Sequence, residues 1–285
     1  MTARWDGSLV LTGASGGLGR ALAEQFATHE VTMLLLGRDA ARLAAVAEAA
    51  QFRGAMVETA RIDTRDRAGM ARCLADFDAR HPVGTVIANA GISAGTPPNG
   101  SVGGVSLEPP GTLARLVETN LIGAANTVEP LLPAMLARGS GRVVLIGSLA
   151  GLRPIPDLAG YSAAKAGLAA WGAALRPRLA AGGVSVTVVE PGFITTPMSA
   201  RHLGHRPGEM SASLAAQRIH HAVGARRRLV RLPRGLAMAA LIGARLPPWL
   251  GDRLLAPFAA RIALETAPDA TAPDQAQRSR DDAAA

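Results

Sequence analysis

The sequence predicts an α/β protein built on a doubly wound, parallel, seven-stranded sheet. Three observations carry that expectation. Short runs rich in Leu and β-branched residues alternate with longer, Ala-rich amphipathic runs. The strand-like runs are apolar throughout rather than alternating, as strands covered on both faces are. The first of them ends in a glycine-rich turn that opens a helix, "LVLTGASGGLGRAL".

The elements follow in order. Strands are expected at 8–13 (SLVLTG), 31–37 (VTMLLLG), 55–63 (AMVETARID), 84–90 (GTVIANA), 142–148 (RVVLIGS), 184–191 (VSVTVVEP) and 228–233 (RLVRLP), each a short apolar run closed by Gly, Pro, Asp, Asn or Ser. Helices fit between them at 17–28, 39–50, 66–80, 111–138, 158–181 and 211–224. Asp39 reads as an N-cap. Two stretches break the pattern. Residues 93–112 (SAGTPPNGSVGGVSLEPPGT) are rich in Gly, Pro and Ser. Residues 235–265 form an apolar extension interrupted by Pro-Pro, read as short helices. The tail at 266–285 has too little apolar content to fold and reads as disordered. The expected organisation is one main domain over 1–234, the extension over 235–265 and the tail.

Composition narrows the classes. With 285 residues, 48% of them apolar, the chain can fill one large α/β core. One cysteine, Cys73, excludes an intramolecular disulfide and a multi-cysteine metal site, and its helical neighbours make it a core residue. His202, His205, His220 and His221 form no metal set. No secretory leader is expected, because "MTARWDGSLVLTG" runs directly into a strand, and no apolar run is long enough to span a bilayer. A cytoplasmic protein fits, with membrane association as an alternative. The net charge of +8 lacks the aromatic interleaving of a nucleic-acid surface. An anionic cofactor, an acidic substrate or a membrane surface is the better use for it.

Five motifs carry chemistry. Gly13, Gly17 and Gly19 make a turn whose helix N-terminus offers free N–H groups to a pyrophosphate. The second strand ends at Gly37 and then Arg38. No acid stands at that tip, where one would accept from ribose hydroxyls, so Arg38 is read as the partner of a 2′-phosphate; an ordinary surface Arg is the plain alternative. "IANAG" (87–91) and Ser148 end two further strands on the same edge. Finally, Tyr161 and Lys165 share a helix face at i and i+4. They are the chain's only tyrosine and only lysine. An ammonium beside a phenol favours phenolate, which would bring a pKa near 10 toward working pH and make Tyr161 a general acid or base. An exposed Tyr and a solvated Lys are the plain alternative.

Together these residues resemble the short-chain dehydrogenase/reductase family, the single-domain branch of Rossmann-fold oxidoreductases, over about 8–233. "TGASGGLG" is similar to that family's cofactor loop, which includes Ser15 and Leu18. "NAG" (Asn89, Ala90, Gly91) is similar to its sheet-stabilising turn. Asn120, Ser148, Tyr161 and Lys165 are similar to its catalytic tetrad, and "PGFITT" from Pro191 to its nicotinamide-side loop. The resemblance implies that Tyr161 donates a proton to a carbonyl oxygen and that Ser148 steadies that oxygen. Lys165 would hold the nicotinamide ribose, and Asn120 a water that resupplies protons. Ile194 and Thr196 would hold the carboxamide, and Asp63 would meet the adenine. NADP(H) is favoured over NAD(H), although Gly16 stands where some NADP-preferring members carry a basic residue. An NADPH-dependent carbonyl reductase (or alcohol dehydrogenase) is the leading reading, and a non-catalytic NADP-binding sensor of the same fold is the alternative. A longer-chain epimerase disagrees with the glycine spacing. The resemblance also implies a homodimer or homotetramer.

Substrate is read only as a small carbonyl or alcohol. Arg153, Arg201 and Arg206 are read either as contacts for an anionic group or as solvated loop residues. The extension is read as packing over the pocket or on a neighbouring subunit. The other reading places Arg226, Arg227, Arg228, Arg231 and Arg234 on anionic headgroups and Trp249, Leu250, Leu254 and Leu255 in the interface, which makes a lipid-like ketone a candidate.

Overall fold

The structure, a computed structural model, describes residues 7–97, 101–102, 105–255 and 262. The expected tail at 266–285 lies outside them. Seven strands form one parallel sheet: β1 Ser8–Thr12, β2 Thr32–Gly37, β3 Met56–Arg61, β4 Val83–Ala88, β5 Gly141–Ile146, β6 Val184–Pro191 and β7 Leu229–Leu232. Their spatial order is β3-β2-β1-β4-β5-β6-β7. Leu11 in β1 is the hinge of the register, opposite Leu35 on one side and Ile87 on the other. The order reverses between β1 and β4, which opens a crevice at the carboxyl ends of the strands, where such sheets bind ligands.

Both faces are covered. On one lie α1 (Gly17–Phe26), α2 (Ala40–Phe52) and α6 (Ala212–Gly224), around Leu11, Leu22, Phe26 and Leu35. On the other lie α3 (Arg67–Arg80), the helical run α4 (112–137) and α5 (Ala159–Ala181), around Val10, Leu34, Phe77, Leu145 and Leu168. Asp39 caps α2 by accepting from the Arg42 N–H at 3.0 Å, as expected, and Asp66 caps α3 in the same way from Gly69 at 2.9 Å.

The run at 112–137 is not the uninterrupted helix its periodicity suggests. Thr112–Val117 is α-helical, Glu118–Ile122 is a π turn, and Gly123–Val128 is α-helical again. The π turn closes through the Gly123 N–H donating to the Glu118 carbonyl. Pro130 and Pro133, which lack the N–H an α-helix needs, then follow in a 3-10 turn and the last α segment.

The extension forms α7 (Arg234–Gly243) and α8 (Pro248–Leu255). The basic run at 225–234 is divided by β7. Arg226, Arg227 and Arg228 are exposed before the strand and Arg234 is exposed after it. Arg231, inside the strand, pairs with buried Glu190 at 2.5 Å. Arg231 is therefore taken up by Glu190, and the other four arginines lie on either side of the strand.

Candidate active site

The crevice is built from the carboxyl ends of six strands, β1 to β6. At β1, Gly13 turns the chain with φ +66° and Gly16 leads into α1. Gly17 sits so close to the segment after β6 that a Cβ there would lie 2.7 Å from Thr196 Cγ2. Only hydrogen leaves that gap open. Ser15 faces the end of β2, where a Cβ on Gly37 would stand 2.9 Å from its Oγ. Leu18 and Gly19 form the first turn of α1, whose N–H groups point into the crevice.

Arg38 is exposed at the tip of β2, and its carbonyl accepts from Arg61 Nε at 3.2 Å. Asp63 faces it across the end of β3. Arg65 grips the Asp63 carboxylate through Nε (3.0 Å) and Nη2 (2.8 Å), and holds it below the usual carboxylate range, with Arg38 adding to that pull. Asp63, Arg65, Asp66, Glu118 and Ile122 line a hollow beside this corner.

At the end of β4, Asn89 spends its amide on backbone. Its Nδ2 donates to the carbonyls of Thr12 (3.0 Å) and Gly13 (3.2 Å), while Thr12 Oγ1 accepts from the Asn89 and Ala90 N–H groups. This clamps β1 to β4 at the switch point. Gly91 then passes Asn120. Asn120 is fully buried in the π turn, where Oδ1 accepts from the Ile92 N–H (2.9 Å) and Nδ2 donates to the Ile92 carbonyl (3.0 Å). The widened turn brings this side chain to the loop.

Ser148 follows β5 and caps the short helix Leu149–Leu152, its Oγ accepting from the Ala150 N–H at 3.1 Å. The same hydroxyl faces the Tyr161 phenol and lowers its pKa against the effect of burial. Lys165, 4% exposed, lies one turn further along α5; its Nζ donates to the Ile146 carbonyl at 2.8 Å and stands 5.8 Å from the Tyr161 ring centre. Burial pulls the Lys165 ammonium down to about 8. Burial also raises the Tyr161 phenol above its ordinary value, opposed by the Ser148 hydroxyl. The sequence suggests a lowered phenol. Within the chain's own field, desolvation of the phenolate outweighs the Ser148 hydroxyl.

At β6, Pro191 ends the strand. Ile194–Thr195 pairs in parallel with Met210–Ser211, a small sheet with no signal in the sequence. Thr196 caps Pro197–Ala200 in a reciprocal box with Ser199. The three loop arginines are neither free nor simply solvated. Arg201 Nη2 donates to the Ser93 carbonyl (2.9 Å), Arg206 Nη1 to the Ser199 carbonyl (3.3 Å), and Arg153 stands 3.5 Å from Asp252 of α8. They tie the loops that wall the crevice. Cys73 is half-buried on α3, with its thiol raised by burial. Among the described residues there is no cluster of side chains suited to a metal ion.

A crevice at a Rossmann-type switch point, with a glycine turn on one side and a Ser–Tyr–Lys set on the other, defines a nicotinamide-dependent oxidoreductase. Residues 8–206 match the short chain dehydrogenase family, and the chain belongs to it. The ketoacyl reductase HetN of Nostoc sp. is 34% identical over 196 residues, 68% of this chain and 66% of that protein. A very-long-chain 3-oxoacyl-CoA reductase of Podospora anserina is 33% identical over 197 residues; the match covers 67% of this chain and 55% of that one. Among solved structures, a short-chain dehydrogenase from Sphingobium yanoikuyae in complex with NADPH superposes with a TM-score of 0.70 at 26% identity, covering 92% of this chain and 98% of that one.

Proposed function

We propose that this chain is an NADPH-dependent carbonyl reductase in which Tyr161 is the general acid. The observation that carries the reading is the convergence of Ser148 and Tyr161 on a buried Lys165, whose Nζ stands 5.8 Å from the phenol ring centre. A phenol held protonated at neutral pH is poised to donate to a carbonyl oxygen, so reduction is the favoured direction. Ser148 shares its hydroxyl with that same oxygen and stabilises the charge that gathers there. Lys165 keeps a positive charge below the phenol as its proton leaves, and Asn120 holds the loop that faces it.

The residues fit a bound dinucleotide. The glycine turn and α1 N-terminus suit the pyrophosphate, Asp63 the adenine, Lys165 the nicotinamide ribose, and Ile194 and Thr196 the carboxamide. Asn89, Ala90, Gly91 and Pro191 shape the floor. The cofactor supplies the hydride when bound. Arg38 supports the preference for NADPH: it is an exposed cation at the β2 tip, where no acid competes for a 2′-phosphate. The NADPH-bound neighbour and the two ketoacyl-type relatives support a 3-oxoacyl or similarly lipid-like ketone as substrate.

A second reading concerns where the enzyme works. Met238, Ile242 and Trp249 are 58%, 59% and 72% exposed along the extension, with exposed Arg234, Arg245 and Arg253 beside them. Apolar and cationic groups interleaved in this way suit peripheral contact with an anionic membrane. No helix among the described residues is long and apolar enough to cross one. Association into a dimer or tetramer through α4 and α5 is supported by exposed Leu113 and Ile122 on α4.

The test is NADPH oxidation with ethyl 3-oxo esters as probes, together with separate titrations of NADPH and NADH. Turnover and tighter NADPH binding are expected. Binding of neither cofactor would overturn the reading.

A further inference from the structure

One residue beyond α8 lies beside Tyr161. Ile262 is 5% exposed. Its N–H donates to the Thr96 carbonyl at 3.2 Å, and it forms an antiparallel bridge with His202. Its side chain packs with Leu158 in a small apolar cluster that Ile155 and Tyr161 border. Three pieces of the site therefore meet at one residue: the loop after β4 and the segment after β6 at its backbone, and the start of α5 at its side chain. The supports are themselves fixed. Thr96 is buried and donates its N–H to the Asp157 carbonyl at 2.9 Å, and the His202 ring packs on Phe193 at 4.9 Å.

Ile262 belongs to neither of the two large cores that hold the helices on the sheet. Its packing partners are the residues that flank the proton donor. We propose that Ile262 is a specificity-determining residue: with Leu158 and Ile155 it forms an apolar wall beside Tyr161 that selects carbonyl substrates by the bulk of the apolar chain next to the carbonyl. This deepens the reductase reading and rests on Tyr161 as the proton donor. The wall offers no hydrogen-bond partner, so a polar substituent there would be desolvated without compensation. A hydrophobic wall resolves methylene-sized differences by roughly 10- to 200-fold, which sets the size of the effect.

The test uses the full chain and its Ile262→Ala and Ile262→Phe variants with NADPH and ethyl 3-oxo esters of increasing acyl length. Ile262→Ala is expected to raise kcat/KM for long over short esters by about tenfold or more, and Ile262→Phe to lower that ratio. An unchanged ratio in both would overturn the proposal. A second readout needs no substrate. Tyr161 is the only tyrosine, so near-ultraviolet absorbance after a pH jump titrates this phenol alone. Ile262→Ser should admit water and move the midpoint down toward the ordinary value; an unmoved midpoint would overturn the placement of Ile262. A moved midpoint with no ester turned over by the unaltered chain would support the wall and count against the reductase reading.

Discussion

Lys165 Nζ donates to the Ile146 carbonyl at 2.8 Å, so the ammonium of the chain's single lysine is held under the end of β5 and away from bulk water. That position is costly for the fold. Burial lowers the ammonium from 10.5 to about 8, so the unfolded chain holds this proton more tightly than the folded one. The full penalty applies below about pH 8. It is relieved as pH rises from there to the unfolded value, because the folded chain then carries the neutral amine.

Replacing Lys165 by Met should therefore stabilise the chain at pH 7 by about 1–2 kcal/mol: the relief of a buried charge, less one hydrogen bond. The advantage should shrink between pH 8 and 10. Urea unfolding at pH 7 and pH 9 measures both points, and equal stability of the two proteins at pH 7 would refute the assigned burial cost. The same variant should lose activity.

Tyr161→Phe should lower kcat by about 10²- to 10⁴-fold while cofactor affinity stays close to that of the unaltered chain. Because burial raises the phenol and lowers Lys165 to about 8, carbonyl reduction should hold steady through neutral pH, weaken as Lys165 loses its charge, and fall further as pH rises through the raised phenol value. Alcohol oxidation, which needs the phenolate, should climb over the same range. Profiles of kcat/KM in both directions test the sign.

Arg38→Asp should reduce the NADPH-to-NADH ratio of kcat/KM by about 10- to 100-fold, because a charge-assisted hydrogen bond to the 2′-phosphate is replaced by repulsion from a carboxylate. A ratio that does not move would remove Arg38 from cofactor selection.

A Cβ on Gly91 would stand 2.6 Å from Asn120 Oδ1 and 3.6 Å from Lys165 Nζ. Gly91→Ala should cost about 1–3 kcal/mol through overpacking, and should lower kcat because it pushes on the side chain that holds Ile92. Asn120→Ala should cost a similar amount by orphaning the Ile92 N–H and carbonyl. Thermal unfolding and turnover of both variants give the comparison; normal stability in Gly91→Ala would mean the loop gives way freely.

If the extension meets a membrane, the full chain should float with anionic liposomes, and replacing Met238, Ile242 and Trp249 by Ser should abolish flotation without loss of NADPH binding. All three side chains are exposed, so the fold is spared. Equal flotation of the two proteins would dismiss the contact.

Much of this architecture was legible in the sequence, for physical reasons. Strands covered on both faces are continuously apolar, which marks the inner strands; all seven were found to within about two residues, although the edge strand β3 (MVETAR) is exposed or half-buried along its length. The glycine turn, Ser148 and the Tyr161–Lys165 pair stand out because rare residue types sit at a meaningful spacing. What stayed hidden depends on tertiary contacts. The π turn around Asn120 follows from a bond to Ile92, 28 residues away. The pairing of Ile194–Thr195 with Met210–Ser211 is two residues long and has no pattern to show. The direction of the Tyr161 shift depends on how deeply the phenol is packed, and packing of the extension over the pocket was one of several readings, because an apolar run carries no mark of which residue meets the site.

The π turn also makes spacing as consequential as identity. Its closing bond spans one residue more than an α turn does, so the turn absorbs an extra residue while Thr112–Val117 and Gly123–Val128 keep their faces toward the core. Deleting one residue other than Asn120 within 118–122 would let α4 relax to regular helix with those flanks in place, and the loss would fall on the link from Asn120 to Ile92. A deletion in either flank would instead rotate one segment by about 100° against the other.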